Sequence, residues 1–490
     1  MERIEFGTDG VRQTAGQFPI NLEGAQKIGI GVGRYLKSHH PNPRVVIGRD
    51  TRLSGGLLCA ALSAGLLAAG VNVVDLGVIT TAGVAYLTKK HRMEMGVVIS
   101  ASHNPWTENG IKLIGPDGLK LADEVEEEVE TYINQDGTPQ FDFHRLGTIN
   151  YNPEWVEEYI QYLIAPFKGL PFSGLKLVMD CSNGAASAIA PRCFELLGAQ
   201  VTVLHASPDG TNINAGCGSE TVREGHGDLV AAMKENSGNL HFGLAFDGDA
   251  DRAIFIDEQG ELVDGDHILY ILAMHLDSAE KLPKRTVVTT QMANSGFDRA
   301  LQPAGIRVIR TKVGDKYVVR EMLENGYVLG GEQSGHIILY DEEHTTGDGI
   351  YTGLTVAGIL VQQEERSLHK LAAGVIKLPQ VIASARVADR KPLDTLSAYT
   401  QQLEKSKAYF NHSATINVRY SGTEPVVRVM IEAEASYALI DVAKQAVLLC
   451  RAIQSETGSA GDWMEVKDAT SGNPLNLSLL ESDLQKETPK

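Results

Sequence analysis

Arg44-Val45-Val46-Ile47-Gly48, a helical run from Gly56 to Ala69, the segment Val71 to Leu76, a second helical piece and Gly96-Val97-Val98-Ile99-Ser100 follow one another with little between them. Short apolar runs bounded by Gly and polar residues read as buried strands and the longer runs as helices, so this stretch reads β-α-β-α-β. The cadence returns with Lys176-Leu177-Val178-Met179-Asp180, a small-residue helix from Ala185, Val201 to Leu204, a helix near Asp228 to Glu235 and Phe242 to Phe246. It returns again with Thr286 to Thr290, a helix from Gly296, Arg307 to Arg310, a helix from Tyr317 to Asn325 and Tyr327 to Leu329. One unit repeated three times in series predicts three related α/β domains. After about Gly374 come strand-like runs at Val375 to Val387, Thr415 to Val418 and Val426 to Ile431, then a helix from Tyr437 to about Arg451, which predict a smaller α+β domain. The expected boundaries are 1–155, 156–258, 259–373 and 374–455, with 456–490 as a C-terminal extension that reads as a loose polar tail from Thr470.

The length of 490 residues fits that count at roughly 100–200 residues per domain. With 44 Lys and Arg against 62 Asp and Glu, the formal charge of −18 has the wrong sign for counterion-driven binding to nucleic acid or anionic lipid. We therefore expect neither nucleic acid nor membrane as a partner. A small anionic ligand would have to be met locally, by a few Arg or Lys side chains and oriented backbone N–H groups. The apolar stretch from Leu57 to Val74 is interrupted by Ser63, Gly65, Gly70 and Asn72, so it reads as a buried helix entering a strand. Met1 to Glu5 has neither the basic nor the apolar region of a signal peptide, which predicts a cytoplasmic protein. Cys59, Cys181, Cys193, Cys217 and Cys450 are odd in number and lack a C-x-x-C pair; they read as reduced bystanders.

In open parallel sheets ligands bind beyond the carboxyl ends of strands. Four loops there carry chemistry. Ser100-Ala101-Ser102-His103-Asn104-Pro105, with Asn109-Gly110-Ile111-Lys112 beyond it, offers Ser102 as a nucleophile or phosphate carrier and His103 and Lys112 as positive charge; a turn capped by Ser102 is the plain alternative. No G-x-S-x-G elbow surrounds Ser102, which disfavours a serine hydrolase. In Asp247-Gly248-Asp249-Ala250-Asp251-Arg252, three carboxylates at i, i+2 and i+4 point one way if the loop is extended. A hard divalent cation relieves their repulsion, and Mg²⁺ suits a site that also touches phosphate. An EF-hand fails, because Arg252 occupies the glycine position and Ala253 to Ile256 reads as a strand. In Gly330-Gly331-Glu332-Gln333-Ser334-Gly335-His336, the alternating Glu332, Ser334 and His336 can face one ligand, two of them bonding sugar hydroxyls. Arg419-Tyr420-Ser421-Gly422-Thr423-Glu424-Pro425, with Arg428 beyond, has the composition of a phosphate cradle. Phe6 to Arg12 is a weaker fifth anion-binding turn.

Together and in this order, these loops resemble the signature set of the α-D-phosphohexomutases, from about Phe6 to Cys450. Ile99 to Pro105, Thr311 to Asp315, Gly331 to Ile338, Thr345 to Gly349 and Ser421 to Pro425 are most similar to the branch acting on hexosamine phosphates. Gln13 stands where the family usually has Gly, and Tyr420 where that branch usually has Lys. The resemblance implies three α/β domains and an α+β domain around a central cleft. It implies that Ser102 is the phosphoserine, and that one of its phosphate oxygens joins Asp247, Asp249 and Asp251 around one Mg²⁺ per subunit. It implies that Glu332 and Ser334 hold sugar hydroxyls, that Arg419, Ser421, Gly422, Thr423 and Arg428 grip the non-reacting phosphate, and that Arg12, His103, Lys112, Arg252 and His336 are the charged catalytic groups. By the same resemblance, phospho-Ser102 gives its phosphate to the free hydroxyl of a hexosamine monophosphate. The 1,6-bisphosphate then turns over, and its other phosphate returns to Ser102, with hexose 1,6-bisphosphate as primer. A homodimer is compatible with this reading. The alternatives are the same chemistry on glucose or mannose phosphates, a phosphatase using Asp247 as nucleophile, and a non-catalytic sugar-phosphate binder.

Overall fold

The computed structural model describes residues 3–7, 9–135, 144–421 and 425–487. They fall into two compact units, Met1–Val222 with His226–Gln291 and Leu301–Gly374, and Arg223–Gly225 with Met292–Ala300 and Val375–Lys490.

The first unit contains three sheets. One is built from β1 (Val11–Thr14), β2 (Arg44–Arg49), β3 (Asn72–Val78), β4 (Met95–Ile99), β5 (Glu108–Ile114) and β6 (Ile149–Tyr151), in the order β1-β5-β4-β2-β3-β6. The next holds β7 (Lys176–Asp180), β8 (Gln200–Leu204), β9 (Phe242–Phe246), β10 (Ala253–Asp257) and β11 (Leu262–Val263), in the order β11-β10-β9-β7-β8. The third holds β12 (Thr286–Thr290), β13 (Arg307–Thr311), β14 (Leu329–Gly331) and β15 (Ile337–Leu339), in the order β13-β12-β14-β15.

The repetition read from the sequence is thus a repetition of wiring. In each sheet a central strand (β2, β7 or β12) pairs parallel on both sides. The second of its partners (β4, β9 or β14) then turns back into an antiparallel strand (β5, β10 or β15). The sheets are therefore mixed, a feature the apolar runs alone do not reveal, because a strand buried on both faces looks alike in either direction. Three of the chemistry-bearing loops occupy this one equivalent place, the turn from the buried third strand into its antiparallel return.

Side chains are excluded where helices must touch. The helices Leu22–His39 and Gly55–Ala68 cross through Gly29 and Gly65, where an added Cβ would lie 2.2 Å from the Leu62 carbonyl and 2.4 Å from the Gln26 carbonyl. That crossing places the second helix on the sheet so that Leu58, Leu62 and Leu66 join the apolar core with Val45 and Ile47.

The second unit carries an all-antiparallel sheet of β16 (Gln380–Arg386), β17 (Thr415–Tyr420), β18 (Val426–Glu432) and β19 (Met464–Asp468), ordered β17-β18-β16-β19, with the helix Leu439–Glu456 packed on it. The expectation of a loose tail from Thr470 needs correcting. Ahead of Thr470, β19 pairs with β16 along its length, and beyond Thr470 the helix Leu477–Glu487 buries Leu480 completely in the same core. The polar composition of the tail hides an apolar spacing of Leu477, Leu480 and Leu484, one face of a helix.

Candidate active site

The buried strand β4 delivers the chain into Ser100-Ala101-Ser102, where Ser102 adopts the left-handed backbone conformation with φ of 52°. Its Oγ donates to Asp247 Oδ2 at 2.5 Å and lies 3.3 Å from His103 Nδ1. This conformation is held from behind. Arg52, fully enclosed, donates to the carbonyls of Ser102 (2.9 Å), Asn104 (2.8 Å), Glu108 (3.0 Å) and Pro105, while its Nε pairs with Asp50 at 2.8 Å. Asp50 in turn accepts from Ser100 Oγ at 2.6 Å, and Ser100 Oγ accepts the Ser102 N–H at 2.9 Å. Asn214 adds donors to the Ser102 and Asn104 carbonyls at 2.9 and 3.0 Å.

The three aspartates do converge, but through a tight turn and not an extended loop. Ala250, with φ of 56°, closes a bond from its N–H to the Asp247 carbonyl, and the three carboxylates come within 4.8 Å of one another. Asp249 Oδ2 accepts from Thr81 Oγ1 (2.6 Å) and Lys112 Nζ (2.9 Å), and Lys112 also lies 3.9 Å from Asp251 and 3.7 Å from Asp9. Asp249 Oδ1 and Asp251 Oδ1 are buried and have no hydrogen-bond partner among the described residues. Burial and the carboxylates of Asp251 and Asp249 push Asp247 well above the ordinary carboxylate range. Orphaned, buried, purely oxygen donors that repel one another fit a hard divalent cation.

Around this cluster stand the charged groups. Arg12 donates to the Ala101 carbonyl at 3.4 Å and pairs with Asp9. Arg252 follows Asp251, its N–H donating to Asp247 at 3.1 Å and its guanidinium bonding Glu220 at 2.8 Å. His336 lies 3.6 Å from both Asp251 and Asp315; burial would lower its pKa, and the two carboxylates outweigh burial and raise it. The neighbouring Arg252 and then burial lower the pKa of His103 to about 3.

Glu332 and Ser334 sit in the equivalent turn of the third sheet. Glu332 accepts the Gly314 N–H at 3.2 Å, and Ser334 Oγ is buried with no partner among the described residues. Arg419, Ser421 and Arg428 belong to the second unit. Arg419 and Arg428 are opposite each other in the β17–β18 pair, so their side chains share one face, and the Ser421 N–H bonds the Val426 carbonyl at 2.8 Å. Gly422 and Thr423 lie outside the described residues.

The structure thus gathers Ser102, the three aspartates, Arg12, His103, Lys112, Arg252 and His336 in one place. Sequence reasoning missed Asp50, Arg52, Thr81, Asn214 and Glu220, and it included Asp315 in a matching stretch without giving it a role. Asp50 and Arg52 follow directly on β2, so the strand-end rule that found Ser102 also points to them. The others act by contacts between distant segments and leave no local signal.

Family models describing domains I, II and III and the C-terminal domain of phosphoglucomutase/phosphomannomutase match residues 3–140, 157–260, 264–378 and 383–449. A phosphoglucosamine mutase of Geobacillus kaustophilus is 46% identical over 435 residues, 88% of this chain and 95% of the relative. Among solved structures, a phosphoglucomutase/phosphomannomutase family protein of Burkholderia thailandensis superposes with a TM-score of 0.76 at 24% identity, over 94% of this chain and all of its own. An N-acetylphosphoglucosamine mutase of Aspergillus fumigatus, solved with GlcNAc-6P and magnesium, gives 0.65 at 17% identity over 93% and 96% of the two chains. With models for four domains matching most of its length in order, the chain belongs to the phosphoglucomutase/phosphomannomutase family.

Proposed function

We propose that this enzyme interconverts glucosamine 6-phosphate and glucosamine 1-phosphate through a phosphorylated Ser102 and a 1,6-bisphosphate intermediate. The observation that carries the reading is the 2.5 Å contact between Ser102 Oγ and Asp247, which joins a left-handed serine to a cluster of three carboxylates. A structural serine needs no such neighbour. The phosphoglucosamine mutases among the relatives supply the choice of sugar.

In the first half-reaction the bond from Ser102 Oγ to phosphorus breaks as a sugar hydroxyl oxygen bonds to the phosphorus and loses its proton. In the second, the ester bond at the other end of the bisphosphate breaks, Ser102 Oγ takes that phosphoryl group, and the sugar oxygen regains a proton, so no phosphate is released. Asp247, Asp249 and Asp251 would hold Mg²⁺, which when bound offsets the negative charge of the transferred group. Lys112, Arg12 and Arg252 add fixed positive charge beside it, placed before reaction so that no reorganisation is required during transfer. Arg52 and Asn214 hold the Ser102 carbonyl, so Oγ meets the acceptor at one angle. Glu332 and Ser334 are assigned to the sugar hydroxyls. Arg419, Ser421, Gly422, Thr423 and Arg428 are assigned to the phosphate that does not react. We place the reaction in the cytoplasm, on the route to UDP-N-acetylglucosamine and peptidoglycan.

The test is conversion of glucosamine 6-phosphate, glucose 6-phosphate and mannose 6-phosphate to their 1-phosphates, with Mg²⁺ and a trace of hexose 1,6-bisphosphate. Preference for glucosamine supports the proposal, and preference for glucose or mannose retains the mechanism and changes the substrate. Release of inorganic phosphate without isomerisation, or full turnover by Ser102→Ala, overturns it.

A further inference from the structure

Outside the three-aspartate site, a second set of metal-binding side chains meets in the second sheet. Asp180 ends β7, His205 follows β8, and Cys217 precedes the short helix Gly218–Arg223; one donor atom from each lies within 4.8 Å of the others. Their separation in sequence, with no C-x-x-C or H-x-x-x-H spacing, is why sequence reading passes over them.

Asp180 and Cys217 are buried, and His205 is about one quarter exposed, at 23%, which leaves a path for an ion. His205 Nδ1 is shielded from solvent and 3.1 Å from Asp180 Oδ2, yet it is not aligned for a hydrogen bond with it. Bond lengths of 2.0–2.1 Å from zinc to nitrogen and oxygen give a tetrahedral edge of about 3.3–3.4 Å, so the pair has to open by only about 0.2–0.3 Å to take the ion. The groups behind the donors are also in place. His205 Nε2 lies 3.2 Å from Asp228 Oδ2, a carboxylate set to fix the ring orientation. Asp180 accepts the Ser182 N–H at 2.8 Å and the Gly218 N–H at 3.0 Å, which fixes its carboxylate. His205 itself is in the left-handed backbone region, with φ of 50°.

We propose that Asp180, His205 and Cys217 form a second metal site, of a carboxylate, an imidazole and a thiolate, which selects a borderline-soft ion such as Zn²⁺ over Mg²⁺ and leaves a fourth position to solvent. The site ties together the ends of β7 and β8 and the segment from Ile213 to Glu220. That segment supplies Asn214, which holds the Ser102 carbonyl, and Glu220, which pairs with Arg252. The ion therefore braces the reactive serine loop without touching substrate.

The experiment uses the full chain, freed of metal by chelation and titrated with Co²⁺ as a spectroscopic stand-in for Zn²⁺, with excess Mg²⁺ present to fill the oxygen site. We expect one equivalent of Co²⁺ to bind with a thiolate-to-cobalt charge-transfer band and the strong visible absorption of a tetrahedral centre. Zn²⁺ should displace it. Cys217→Ser and His205→Ala should lose the band, Asp228→Asn should retain it with affinity about 10–100-fold weaker, and Asp249→Asn should retain it unchanged. Absence of a thiolate band in the wild-type chain overturns the proposal, as does its persistence in Cys217→Ser or its loss in Asp249→Asn. Circular dichroism of each variant shows that it is folded, and the small Cys217→Ser change keeps the test valid if His205→Ala is not. The outcome is independent of which sugar the enzyme prefers.

Discussion

The guanidinium of Arg52 donates to the carbonyl of Ser102 at 2.9 Å, so a residue on the loop after β2 fixes the backbone of the serine on the loop after β4. The same guanidinium satisfies three further carbonyls of that loop and is neutralised by Asp50. Arg52 has no described contact with the Ser102 hydroxyl, and its effect on the reaction passes through geometry.

Arg52→Met should therefore lower kcat by about 100-fold, the loss expected for a misplacement near 1 Å, with little change in KM. It should also destabilise the fold by about 3–5 kcal/mol, because Asp50 is left buried and unpaired. The double variant Asp50→Leu with Arg52→Met removes that buried charge. It should regain much of the stability in a denaturant titration while kcat stays low. Recovery of kcat together with stability would show that Arg52 serves folding alone.

Asp249 carries both a bond from Lys112 and a buried oxygen with no partner among the described residues. Asp249→Asn keeps the size of the side chain and removes one negative charge. Mg²⁺ binding measured by calorimetry should weaken by at least about 10-fold and turnover should fall in step, whereas excess chelator should abolish turnover in the wild-type chain. Partial recovery of Asp249→Asn at high Mg²⁺ is expected, since two of the three carboxylates remain.

Leu480 is fully buried in the core of the second unit although it belongs to a polar tail, and Arg451 pairs with Glu481 beside it. Leu480→Ala should cost about 2–5 kcal/mol, the usual range for a leucine removed from a packed core. Thermal unfolding checks this. A change below about 0.5 kcal/mol would mean the helix Leu477–Glu487 is not docked in solution.

The repeated apolar runs made the three α/β sheets and most of their helices legible, because a buried strand and the helix covering it impose composition over many residues. The reactive loops were legible for a related reason, since the chemistry of Ser102 and of the aspartates demands particular side chains at fixed short spacing. What escaped was whatever depends on distant segments meeting. Asn214 joining the Ser102 carbonyl from the second sheet, and Thr81 donating to Asp249, have no signature within a window of sequence. The helix around Leu480 escaped because only three apolar residues anchor it.

Glu126, on the helix Asp123–Ile133, offers a pH-dependent test outside the reactive site. Burial, aided by Asp123 and Glu130 and opposed by Lys316 and Lys120, raises its pKa from 4.5 to about 7. Between those two values the folded chain holds a proton that the unfolded chain has released, so stability falls as pH rises through that window and then levels off. Glu126→Gln removes the dependence. The variant should match the wild type near pH 4 and exceed it near pH 8 by up to about 1 kcal/mol once solvent screening is allowed for. Melting temperatures of the two proteins recorded across this range decide it: curves that stay parallel from acid to alkaline pH would show that Glu126 titrates as an ordinary surface carboxylate.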